Sequence, residues 1–252
     1  MSIRKVALPN EHGSWNFVLE PLILSLIVAF STNGLILALA AFILFLSRQP
    51  IKYITGKNAP KLKTTAKKVL AFYFSIVFLL FLYLIFNSEL RLRLPYGTAL
   101  LLMLFYLYLE YKGRSRELIF EFIPPVAITL MSISIILMNG NFAYNAFVYG
   151  VLLLSRSLPT IVYIHAKVME MKNKPYKELP THIINITFLL LIFFLISNNM
   201  LPQLTIAGPI IMLIRAVIGF SKFNFTKTVM LIGLAEFTYG VIIVVINAIA
   251  LT

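Results

Sequence analysis

The sequence predicts an all-α fold, a polytopic membrane bundle of about nine transmembrane helices. Three observations predict it. Of the 252 residues 60% are hydrophobic, and the mean hydropathy is +0.91, whereas soluble domains sit near ~45–50% apolar. Apolar runs recur at about the 20-residue length that crosses a bilayer. Basic residues gather in alternate gaps between those runs. The chain reads as one integral membrane domain over residues 1–252.

The first fourteen residues are polar and lack the apolar core and small-residue cleavage site of a signal peptide. The first helix is therefore expected to be retained. Nine spans follow: Ser14–Ser31, Asn33–Ser47, Lys68–Phe86, Tyr96–Tyr111, Ile119–Met138, Phe142–Ser155, Thr181–Ser197, Leu201–Phe220 and Lys227–Leu251. Turn-forming residues separate several of them, such as Thr32-Asn33-Gly34 and Asn139-Gly140-Asn141.

Charge sets the orientation. Twenty of the 22 basic residues fall at the N-terminus and in the gaps on its side; the other two are Arg91 and Arg93. The positive-inside rule then predicts a cytoplasmic N-terminus and an external C-terminus in a cell membrane. The net charge of +13 would suggest nucleic acid in a soluble protein. Set between membrane spans it suits an anionic leaflet, and no nucleic-acid partner is expected. Two long cytoplasmic loops are predicted, Arg48–Lys67 and Arg156–Pro180.

The ends of helices 2 and 6 resemble each other. One reads Ser47-Arg48-Gln49-Pro50 and then Tyr53-Ile54-Thr55-Gly56-Lys57. The other reads Ser155-Arg156-Ser157-Leu158-Pro159 and then Tyr163-Ile164-His165-Ala166-Lys167. Four helices separate them, so the expected repeat is parallel, helices 1–4 and 5–8 with helix 9 appended. The plainer reading is that Ser-Arg-x-Pro simply ends a helix at a basic interface.

Charges also lie at membrane depth. Arg48, Arg156 and Arg215 follow short apolar runs; about thirteen helical residues cover only ~20 Å of a ~30 Å core. Glu20, Glu121 and Glu236 lie ~8–13 Å inside odd-numbered helices. A charge facing hydrocarbon costs at least ~2.5 kcal/mol, so these groups are expected to face one another or a wet cavity. Two readings fit: a cytoplasmic-facing vestibule for a polar or anionic ligand, and a structural ion-pair network. In the first, Arg48, Arg156 and Arg215 with Glu20 and Glu121 line the site, and Tyr53, Lys57, Tyr163, His165 and Lys167 contribute from the repeat segments. Glu11, His12 and Glu236 are the candidate proton-transfer groups.

Residue types exclude other chemistry. There is no cysteine, and all nine acids are Glu. Disulfides, thiolate metal sites and a Cys nucleophile are excluded. No two histidines stand at i, i+4, so no haem or zinc site is indicated, and no metal or cofactor is predicted.

At Glu11-His12-Gly13-Ser14-Trp15 followed by Pro21 the chain resembles the YwiC-like family of membrane proteins, which carries a Glu-His-Gly-Ala-Trp start before its first helix. Ser14 stands here in place of the alanine. The likeness recurs at Tyr163 to Lys167 and at Ile232-Gly233-Leu234-Ala235-Glu236. It implies a membrane fold and fixes no reaction. In architecture the chain also resembles the UbiA superfamily of intramembrane prenyltransferases. That likeness implies nine helices in a parallel repeat and a cytoplasmic polar site under the loops after helices 2 and 6. Those enzymes hold magnesium on a prenyl diphosphate with Asp-rich motifs, and this chain has no aspartate.

The expected function is a divergent UbiA-like protein. It would bind an isoprenoid, a quinone or another membrane lipid by a polar or anionic head, without magnesium–diphosphate chemistry. The alternative is a non-enzymatic subunit or assembly factor with a partner in a respiratory quinone or haem complex. A small-molecule transporter is third.

Overall fold

In the computed structural model the described residues are 3–9, 12–56, 60–115, 117–140, 142, 144–221 and 228–252, the side chains of 12–14 and 90–92 not being among them. After a short helix at Ile3–Ala7 come α1 (His12–Val28), α2 (Thr32–Thr55), α3 (Pro60–Asn87), α4 (Leu90–Tyr111) and α5 (Leu118–Asn139). Then follow α6 (Ala146–Met171), α7 (Leu179–Ser197), α8 (Gln203–Phe220) and α9 (Val229–Leu251). Among the described residues eight helices are long and apolar enough to cross a membrane, and the apolar stretch of α1, Trp15–Val28, is shorter. The chain is a polytopic helix bundle.

Two expectations about boundaries are corrected. Helices 2 and 6 were expected to stop at Ser47 and Ser155, ahead of their arginines. Instead α2 runs to Thr55, with Ser47 joining Thr32–Leu46 to Arg48–Thr55, and α6 runs unbroken from Ala146 to Met171. Most of the two predicted loops is therefore helix. Arg48 and Arg156 find partners inside the protein, so neither has to end its helix to reach water. Pro159 lies within α6, a position that membrane helices tolerate where neighbouring side chains and helices satisfy the freed backbone.

The helices gather into two compact units, residues 1–11 with 29–140 and residues 12–28 with 141–252. In the first, α2 packs on α3 and α5, and α4 on α5. The buried face of α2 is rich in small residues, Gly34, Ala38, Ala40 and Ala41, which let helix backbones approach closely in a membrane. A Cβ on Gly34 would lie 3.0 Å from Ile135 of α5. Ser31 caps α2 by accepting from the Gly34 N–H at 3.0 Å. Asn139 at the end of α5 donates to the Phe30 carbonyl at 2.7 Å.

In the second unit α6 packs on α7 and α8, while α1 lies along α9. The compact groups are thus α2–α5 and α6–α9 with α1, offset by one helix from the repeat boundaries read in the sequence. Side chains on α1 and α9 account for the offset. Asn16 donates to the Glu236 carbonyl at 2.7 Å, and Gly240 offers α1 a bare patch of backbone. Large apolar side chains stand exposed on α3 (Phe72, Phe78), α7 (Phe193, Phe194) and α9 (Leu234, Ile249), the surface that hydrocarbon requires.

Candidate functional site

A polar stripe runs down α6. Arg156, Thr160, Tyr163 and Lys167 recur at helical spacing and all are buried. Around it the second unit assembles two arginines and two glutamates. Arg215 of α8 donates through Nη1 to both carboxylate oxygens of Glu236, at 2.8 and 2.7 Å. Arg156 lies 3.3 Å from Glu20 of α1 through Nε and 3.6 Å from Glu236 through Nη1. Its Nη2 donates to the Glu236 carbonyl at 3.1 Å.

Thr160 ties the two cations together. Its hydroxyl accepts from Arg156 Nη1 at 2.6 Å and from Arg215 Nη1 at 3.0 Å. It also donates to the Arg156 carbonyl at 2.8 Å. Two cations and two anions sum to zero, which is what makes the group tolerable in a low dielectric. The side chains of Arg215 and Glu236 are each 2% exposed.

Bonding in the group is uneven. Arg215 Nε and Nη2 have no hydrogen-bond partner, although both are buried. The guanidinium lies 4.3 Å over the Tyr163 ring, which offsets part of its desolvation. The Tyr163 ring sits against Gly219, where a Cβ would collide with its hydroxyl. One turn on, Lys167 donates to the Gly219 carbonyl at 2.9 Å and pairs with Glu170. Phe220 covers this end, touching Tyr163, Tyr176 and His182. Tyr176 lies in the connection before α7, where burial and the nearby Glu170 and Glu178 push its hydroxyl above the ordinary range.

The first unit holds a separate pair. Arg48 Nε donates to Glu110 Oε2 at 2.9 Å and stacks over Tyr106. Glu121 is half-buried at the beginning of α5, in that same unit. Tyr53 is half-buried on the last turns of α2, and His165 is half-buried on α6. Glu11 and Lys57 lie outside the described residues, as does the side chain of His12, the first residue of α1.

Of the predicted site residues, the structure therefore brings together Glu20, Arg156, Arg215, Glu236 and Tyr163, with Lys167 one turn on. Arg48, Tyr53 and Glu121 belong to the other unit. Sequence reasoning missed Asn16, Thr160, Gly240 and Asn247. Spacing carries their signal: Thr160 is one turn beyond Arg156, Asn16 one turn before Glu20, and Gly240 and Asn247 extend the Glu236 face of α9.

Two cavities lie in the second unit, and the smaller one reaches the group. The larger, a groove of about 500 Å³, is lined by Trp15 and Leu19 of α1 and by Met230, Leu234 and Phe237 of α9. A far smaller one, of about 10 Å³, is bordered by Glu20, Arg156, Ser157 and Asn247. A magnesium–diphosphate site of the prenyltransferase kind does not fit here. Both acids are engaged by arginine, and a hard divalent cation needs several free oxygen ligands.

The family model described as YwiC-like protein matches residues 8–136, just over half of the chain. That stretch takes in the Glu11–Trp15 segment, all of α1 and most of α5. The likenesses at Tyr163–Lys167 and Ile232–Glu236 fall beyond it. No curated protein matches the chain, and no solved structure matches it.

Proposed function

The chain belongs to the YwiC-like protein family, and from that premise we propose that it binds a lipid-like molecule, an isoprenoid or quinone, by its polar head inside the membrane. One observation carries the reading. Arg215 keeps two buried N–H donors, Nε and Nη2, without an acceptor. An unpaired buried donor costs about 1–3 kcal/mol, more on a charged group. A ligand oxygen would remove that cost.

Charge narrows the ligand class. The Arg156, Arg215, Glu20 and Glu236 group is already neutral, so a diphosphate would bring uncompensated negative charge into it. A neutral acceptor, such as a quinone carbonyl, suits it better. The groove flanking α1 and α9 has the size and apolar lining of a ligand pocket, suited to an isoprenoid tail. In this reading the bundle is UbiA-like in plan, with a cytoplasmic N-terminus and an external C-terminus, and it does no magnesium–diphosphate chemistry.

Native mass spectrometry of the purified protein tests the proposal. A lipid, quinone or isoprenoid should co-purify with the wild type. Arg215→Lys keeps the charge but removes the Nε and Nη2 donors from their positions, and it should lower occupancy about tenfold, as expected for about 1.4 kcal/mol. Equal occupancy in the variant, or no bound molecule in the wild type, would overturn it.

A second reading has its own observation. Both acids of the group are ion-paired with arginine, which favours a structural role and with it a non-enzymatic subunit or assembly factor of a respiratory complex. Purification in a gentle detergent should then recover a stoichiometric partner.

A further inference from the structure

The two acids of the buried group are not equivalent. Glu236 accepts two hydrogen bonds from Arg215, at 2.8 and 2.7 Å. Protonating it would strand that guanidinium, whose other nitrogens have no partner. Glu20 is held more loosely. Among the described residues none donates a hydrogen bond to its carboxylate, and its contact with Arg156 Nε, at 3.3 Å, lacks hydrogen-bond alignment. The donors of Arg156 that do bond go to Thr160 and the Glu236 carbonyl. Protonating Glu20 would leave both of those bonds in place.

The surroundings of Glu20 are those of a water site. The small cavity of about 10 Å³ is at the lower limit for one water molecule. On its border stand a donor and an acceptor that make no hydrogen bond, Arg156 Nε and Asn247 Oδ1. Asn247 is 3% exposed, and a buried amide oxygen without a donor is costly. A single water bridging Glu20, Arg156 and Asn247 satisfies all three. It has the two to four polar partners that a buried water needs.

We infer that Glu20, with one water held against Arg156 and Asn247, is a proton-exchanging site of the second unit. The step is the uptake of one proton by the Glu20 carboxylate, delivered through that water, and its release by the same route. The groups facing Glu20 are Arg156 and Tyr149 from α6 and Glu236 and Asn247 from α9. Arg215 of α8 acts on it through Glu236. Tyr149 is engaged with Ser25, hydroxyl to hydroxyl at 2.9 Å. Uptake of the proton turns a neutral group into one of net charge +1. The inference holds whatever molecule, if any, occupies Arg215.

Infrared difference spectroscopy of the purified protein, titrated in H₂O and D₂O, tests it. A buried protonated-carboxyl stretch should appear on acidification and shift in D₂O. It should vanish in Glu20→Gln and persist in Glu236→Gln, there at lower pH because both arginines then face Glu20. Asn247→Leu, which fills the cavity, should slow the D₂O shift at least tenfold. The inference is overturned if no such band forms in the wild type, if the band survives in Glu20→Gln, or if Asn247→Leu exchanges at the wild-type rate.

Discussion

Arg215 and Glu236 are held face to face between α8 and α9, one guanidinium nitrogen lying 2.8 and 2.7 Å from the two carboxylate oxygens. Breaking a buried pair from one side costs about 3–5 kcal/mol, because it leaves the other charge uncompensated. Glu236→Gln should lower stability by about that amount. The double change Arg215→Leu with Glu236→Leu should recover most of the loss, since an apolar replacement of a buried pair is often close to neutral. Thermal or denaturant unfolding in detergent measures both. A double variant as unstable as the single one would show that Thr160 and Arg156, not the pair, dominate the local energetics.

The Arg48–Glu110 pair in the first unit should behave differently. Its arginine side chain is 18% exposed, against 2% for Arg215. Released from its partner, Arg48 has a route to water along its own flexible stem. Glu110→Gln should therefore cost less than Glu236→Gln, about 1–3 kcal/mol, between the values for exposed and fully buried pairs. The same unfolding assay compares it with Glu236→Gln, and equal losses would contradict the ranking.

Much of the fold is legible because hydropathy and loop charge report directly on a bilayer. The ends of α2 and α6 were not, and the reason is specific. A basic residue normally marks the edge of a membrane span, but Arg156 and Lys167 are buried within α6 by partners far away in sequence. The depth of Glu20, Arg156, Arg215 and Glu236 can be counted along each helix. Which acid meets which base cannot, because that depends on the packing of α1 against α9. Glu121 illustrates this: it matches Glu20 in its nearness to proline and lies in the other unit.

Gly240 tests that packing directly. A Cβ there would collide with Asn16 Nδ2 and lie 2.7 Å from Glu20 Oε2. Gly240→Ala should displace the Asn16 and Glu20 side chains, break the Asn16 bond to the Glu236 carbonyl and cost about 1–3 kcal/mol, as overpacking does. Gly208 provides the contrast, since its nearest neighbour, Ile243 Cγ2, would stand 3.7 Å from the new methyl. Gly208→Ala should be neutral or stabilising by up to about 1 kcal/mol. Unfolding midpoints of the two variants in one detergent decide the matter, and a harmless Gly240→Ala would refute the close approach.

A pH effect is expected outside the membrane. In the connection between α4 and α5, Arg114 donates to both carboxylate oxygens of Glu117, at 2.7 and 3.2 Å. That bond holds the Glu117 carboxyl below the ordinary carboxylate range. A depressed folded value means stability that is present above the ordinary carboxylate pKa and lost as pH falls through the folded one. The pair is exposed, so the contribution is small and salt-sensitive. Wild type and Glu117→Gln should differ slightly in melting temperature at neutral pH and low salt. They should converge in acid or at high salt, and a difference that grows in acid would reverse the sign.

The orientation expected from charge is open to a clean test, because the chain has no cysteine. Single cysteines can be placed without removing any native thiol. Lys174 lies in the connection between α6 and α7, beside Lys172 and Lys177, and Asn198 lies in the turn after α7. Positive-inside logic puts the first on the cytoplasmic side and the second outside. A membrane-impermeant maleimide added to intact cells should label Asn198→Cys and spare Lys174→Cys until the membrane is opened. The reverse pattern would place the basic face outside, and with it the Lys167–Glu170 end of the polar stripe on α6.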